Sequence, residues 1–157
     1  MIVLAGQSAL SHFRRARLES KLQSIAPAVR VRGAWHVYFV EADQGASPDL
    51  ATLRRVLQAN EGDAPQADGA VSRFVTPRLG TLSPWASKAT ELLRGAGQPV
   101  KRVERGLRID LEGWDDASPA LAKALHDPMT QSLLASREQA QALFTAPARG
   151  ELERIPL

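Results

Sequence analysis

One short segment occurs twice, and it constrains this chain more than any other feature. Ala46-Ser47-Pro48-Asp49-Leu50-Ala51 recurs as Ala117-Ser118-Pro119-Ala120-Leu121-Ala122, an offset of 71 residues, and Arg32-Gly33 recurs as Arg105-Gly106, an offset of 73. A serine followed by proline starts a helix, because the hydroxyl caps free backbone N–H groups and the ring already holds a helical φ. Each copy follows a long strand, and each long strand follows a helix and a short strand. A half of about 70 residues has little interior of its own, so two such β-α-β-α units are expected to share one core.

The hydrophobic pattern supplies the elements. Ile2 to Ala5 reads as a first strand ending at Gly6. Ser8 or Ser11 caps a helix running to about Ile25, with Leu10, Phe13, Leu18, Leu22 and Ile25 as its buried stripe. From Val29 to Ala42 the period changes to two, which marks a strand. Ser47-Pro48 opens a helix over Asp49 to Gln58, with Leu50, Leu53, Val56 and Leu57 inward. Residues 59–69 read as a polar, flexible loop. A strand over Ser72 to Thr76 leads to a helix after Pro84, with Trp85, Ala89, Leu92 and Leu93 inward. Val100 to Glu112 is a second long strand, and Ser118-Pro119 starts a helix towards His126. Ser132 to Ala135 suggests an edge strand, and Ser136 caps a last short helix reaching Phe144. The halves fall at about 1–68 and 69–144. Thr145 to Leu157 carries Pro, Gly and Arg without periodicity and reads as linker.

Composition narrows the class. Aromatic residues make up 5% of the chain, so Leu, Val and Ala must fill the interior, which suits helices packed on a sheet. Hydrophobic content of 44% with 24% charged residues is that of a globular chain. There is no cysteine, which removes disulfides, thiolate metal cages and a thiol nucleophile from these residues. The net charge is +3, but the basic residues are dispersed among acids, and nucleic-acid binding is not expected. No run approaches the roughly 20 apolar residues that span a bilayer. A soluble, cytoplasmic protein is expected.

Familiar catalytic spacings are missing. His12, His36 and His126 are far apart and form no zinc-type motif, so no metal site is expected, and His126 is read as support for a helix C-terminus. No G-x-S-x-G elbow or phosphate-binding glycine loop occurs. The acids Asp115-Asp116 and Glu61/Asp63 read as solvated or capping, without shifted acidity. No catalytic residue is assigned.

The stretch Thr76-Pro77-Arg78-Leu79-Gly80-Thr81-Leu82-Ser83-Pro84-Trp85-Ala86-Ser87-Lys88-Ala89-Thr90 stands apart. Two prolines and a glycine shape a loop that ends in a Ser-Pro helix start. Amide donors there, with Arg78, Thr81 and Lys88 nearby, suit an anion or a carboxylate. Arg78, Thr81, Ser83, Trp85 and Lys88 are therefore the candidate contact residues, for a partner domain or for a ligand.

This stretch resembles a signature of the N-terminal region of large, single-chain phosphoribosylformylglycinamidine synthase, a glutamine-dependent ligase of purine biosynthesis. Ser8-Ala9-Leu10-Ser11 with Phe13-Arg14, Val103-Glu104-Arg105-Gly106, and Leu125-His126-Asp127 with Met129 resemble further family segments in order. At position 86 the resemblance leads one to expect serine; alanine stands there. The resemblance implies an α+β fold of two pseudo-symmetric β-α-β-α halves, with an antiparallel sheet and helices packed on it. It is similar to a dimer of the small accessory subunit used by the multi-subunit enzyme. It implies a parent that makes formylglycinamidine ribonucleotide from formylglycinamide ribonucleotide, ATP and glutamine. ATP and magnesium would lie in a later synthetase region and the glutaminase at the C-terminus, so this piece would need no cofactor and would not itself be catalytic. Its partners would be the synthetase and glutaminase domains of the same chain, which it would bridge while ammonia passes between them. The alternative is a free-standing homodimeric interaction module, and a third reading is a small enzyme acting on a phosphorylated substrate.

Overall fold

Strand, helix, strand, helix occurs twice in the same order. The first set is β1 (Ile2–Ser8), α1 (His12–Gln23), β2 (Arg30–Ala42) and α2 (Leu50–Leu57). The second is β3 (Val71–Pro77), α3 (Pro84–Gly95), β4 (Val100–Glu112) and α4 (Pro119–Leu125). A short edge strand, β5 (Gln131–Leu134), and a 3-10 turn over Arg137–Gln141 follow. The computed structural model describes residues 1–79 and 83–144. The linker expected over Thr145 to Leu157 lies outside the described residues.

The strands form one antiparallel sheet in the order β1-β2-β4-β3-β5. The α+β class and the antiparallel sheet with helices packed on it are thus as expected from the sequence. β2 and β4, each 13 residues long, pair end to end from Arg30↔Glu112 to Ala42↔Val100. The outer strands cover only part of their long neighbours. β1 pairs with residues between Trp35 and Val40, and β3 pairs with Leu107 to Leu111.

Each long strand therefore has a stretch whose backbone polar groups need another partner. Side chains of α1 and α3 meet that need. Val31 N donates to Glu19 Oε2 at 2.9 Å, and Arg15 Nη1 donates to Val31 O at 2.9 Å. On the other long strand, Val103 N donates to Thr90 Oγ1 at 3.1 Å, and Arg94 Nη1 donates to Val100 O at 2.6 Å.

Helices lie on one sheet face and produce two apolar clusters there. One joins Leu4, Tyr38, Val40 and Val103 of the sheet to Leu53 and Leu57 of α2 and Ala89 and Leu93 of α3. The other joins Val31, Ala34, Val75, Ile109 and Leu111 to Leu22 of α1 and Leu121 and Leu125 of α4. The opposite face, carrying Val37, Phe39, Phe74 and Leu134, is covered by Ala140 and Leu143.

Several sequence expectations need correction. The buried stripe of α1 is narrower than expected: Leu22 is fully buried, but Phe13 is 67% exposed and Ile25 is also exposed. Phe13 lies nine positions before Leu22, half a turn out of phase on a helix, so its ring faces away and meets Arg17 instead. Leu92 of α3 is 59% exposed, because Ala86, Ala89 and Leu93 define the inward line. Leu50 is exposed as well, and the N-cap of α2 is Asp49 rather than Ser47. Gln98 Oε1 accepts from Asp49 N at 2.8 Å and fixes the chain there. Gly6 does not end β1; a Cβ there would lie 2.7 Å from His36, so glycine permits a close backbone approach within the strand. The loop over 59–69 is anchored: Asn60 donates to Ala5 O and Gly6 O, and Ala64 O accepts from Arg108.

Candidate functional site

Ser83 caps α3 as its Ser-Pro pattern requires. Its Oγ accepts from Ala86 N at 3.0 Å, and Pro84 occupies the first helical turn. Ala86 is fully buried at that cap. Trp85 projects from the first turn of α3 and stacks on Tyr38 of β2, with ring centroids 5.9 Å apart. The Arg105 guanidinium lies over the Trp85 ring, 4.8 Å from its centroid. Lys88 stands one turn further along α3, beside a cavity of about 290 Å³ that Tyr38, Trp85, Leu92 and Arg105 also line.

Ser83, Trp85 and Lys88 are thus together at the start of α3. Arg78 sits apart, at the end of β3, where its Nη1 donates to Met129 O at 3.4 Å and its backbone N to Thr130 O. Thr81 lies outside the described residues.

Arg105 connects these two regions. It lines a second cavity, of about 390 Å³, together with His36, Pro77, Leu107, Thr130 and Gln131. His36 and Leu107 face each other across the central strand pair, next to Tyr38 and Arg105. The two cavities meet at Arg105 and form a groove in the helix-bearing face. Burial, helped by the Arg105 charge, holds the His36 imidazole below its ordinary acidity range. Its Nδ1 is buried with no hydrogen-bond partner among the described residues.

The side of β4 facing away from the helices was not anticipated from the sequence. It presents Arg102, Glu104, Gly106, Arg108 and Asp110 in alternation, and the four charged residues are all buried. Each arginine pairs with the acid two positions on. Arg108 donates through Nε and Nη2 to Asp110 at 3.0 and 2.8 Å, and Ser72 Oγ donates to the same carboxylate at 2.7 Å. Arg102 donates to Leu143 O and lies under the Phe144 ring. Glu104 has no exposed surface, and Ser83 Oγ donates to its Oε1 at 3.3 Å. Burial pushes the Glu104 carboxyl above its usual range, against the pull of Arg102 and Ser83. The period-two run of charge was the available signal.

The remaining sequence candidates have local roles. His126 ends α4, and its Nδ1 lies 2.6 Å from Ala122 O, a last-turn carbonyl. His12 meets Arg15 on α1. Asp116 corrects one expectation: the Arg73 guanidinium and the Trp114 indole hold its carboxyl below the ordinary value. Asp63 pairs with Arg137. Among the described residues, no three His, Asp or Glu side chains converge as a metal's ligand set would. No described helix is long and apolar enough to cross a membrane.

A family model described as the formylglycinamide ribonucleotide amidotransferase N-terminal domain matches residues 35–144. The chain belongs to this family. It is the N-terminal domain of an enzyme of purine biosynthesis, a family in which further domains share the chain.

Proposed function

We propose that this domain is a docking platform which holds the synthetase and glutaminase parts of its parent enzyme in register and performs no bond chemistry itself. The parent reaction would convert formylglycinamide ribonucleotide, ATP, glutamine and water to formylglycinamidine ribonucleotide, ADP, phosphate and glutamate. One observation carries the reading: the side chains gathered at the start of α3 are held by capping, stacking and burial, and Ser83, whose hydroxyl meets the buried Glu104 carboxylate, is engaged as the helix cap. Rigid aromatic and cationic groups of this kind are what interfaces favour.

Such a platform serves a definite chemical need. Ammonia released by glutamine hydrolysis is mostly protonated in neutral water, and ammonium has no lone pair with which to attack. Domains held together with water excluded between them keep the reactive form. ATP and magnesium would be bound by the later synthetase region.

The test is coupling. Replacing Arg78 and Trp85 in the full-length enzyme should leave glutamine hydrolysis running while amidine product falls behind it. Unchanged stoichiometry in a variant of full stability overturns the proposal.

A further inference from the structure

We infer that the groove centred on Arg105 receives an acidic side chain, an Asp or Glu presented on an extended segment of a neighbouring domain. The inference rests on the docking reading and names the chemistry of its partner.

The first support is an imbalance of charge. Arg102 and Arg108, on the other side of β4, each have a carboxylate two residues along. Arg105 has Val103 and Leu107 at those positions, and Tyr38 opposite on β2. Its side chain makes no ion pair or hydrogen bond with any described residue and meets the Trp85 ring. Arg105 and Lys88 line the groove, and among the described residues no Asp or Glu does so in either cavity.

Geometry gives the second support. The Arg105 guanidinium lies over the Trp85 ring, and its donors meet no hydrogen-bond acceptor among the described residues, so they can take a carboxylate through two parallel bonds. His36, in the same cavity, offers a buried Nδ1 that lacks a partner among the described residues. Cavities of about 390 and 290 Å³ admit side chains, whereas a helix is about 10 Å across. An extended segment fits better.

Zero-length carbodiimide cross-linking of the full-length enzyme tests this, because it joins amines only to carboxylates in contact. Lys88 is a native amine in the groove, and Arg105→Lys adds a second at its centre. Peptide mapping should find either position joined to an Asp or Glu beyond the domain, with yield falling several-fold at high salt. If Lys101 or Lys123 cross-links to another domain while positions 88 and 105 do not, docking stands and the groove is not its seat. If no lysine of the domain reaches another domain, the docking reading fails too. Linkage of these positions only within the domain, or to a second copy of it, likewise overturns the inference.

Discussion

Ser83 Oγ lies 3.3 Å from Glu104 Oε1, so one hydroxyl both caps α3 and satisfies a carboxylate with no exposure to solvent. Helix start and strand interior are tied at this atom.

Ser83→Ala should therefore cost more than an ordinary cap. Capping losses run about 1 kcal/mol, and a buried carboxylate short of a donor adds roughly another 1 kcal/mol or more. Ser83→Thr should restore most of the loss. Ser83→Asp, normally a good cap, should not, because it places a second carboxylate beside Glu104. Urea unfolding of the three variants checks the order.

Glu104→Leu removes the carboxylate from a buried arginine. Breaking one side of such a pair costs about 3 to 5 kcal/mol. Replacing Arg102 by Met in the same chain should recover much of it, since a packed apolar pair has no charge left to bury. A double-mutant cycle by denaturant melts measures the coupling; additive losses would contradict the pairing seen on β4.

The duplicated glycines should behave differently. A Cβ at Gly106 would lie 2.7 Å from Val75 O, a backbone atom that cannot move aside. A Cβ at Gly33 would meet only the far edge of the Trp35 ring. Gly106→Ala is expected to destabilise by about 1 to 3 kcal/mol, and Gly33→Ala by less, with Trp35 displaced from Arg108. Thermal unfolding ranks them.

His36 sets a pH dependence. Its folded pKa lies below the ordinary 6.5, so below that pH the unfolded chain gains a proton that the folded imidazole refuses. Its contribution is present above pH 6.5 and declines as pH falls towards the folded value. His36→Gln should flatten stability between pH 7 and the onset of acid unfolding. Glu104 works in the opposite sense: its raised pKa favours the fold at low pH and loses that contribution as pH rises through the folded value.

Much of the architecture was legible because local rules and tertiary structure agree. Ser11, Ser83 and Ser118 each cap the helix that follows, and the run at 132–135 is the edge strand β5. Asp49 displaced Ser47 because the Gln98 contact comes from 49 residues away, beyond any local pattern. The charged side of β4 reads as solvent-facing by alternation alone. It is buried because Leu143 and Phe144, after β5, and Ala64, in the loop after α2, fold over it. Trp85 and Lys88 were legible as a pair on one helix start, whereas Arg105 became a site residue only once β4 was set beside α3.

The side chains of Glu19, Arg15, Thr90 and Arg94 that occupy the free backbone of β2 and β4 have a consequence for assembly. A visiting strand finds Val31 N and O, Val103 N and Val100 O already engaged, which interrupts the ladder it would need for main-chain bonding. Attachment there favours the reading of side chains, so a change of surface residue can retune it without disturbing the scaffold beneath.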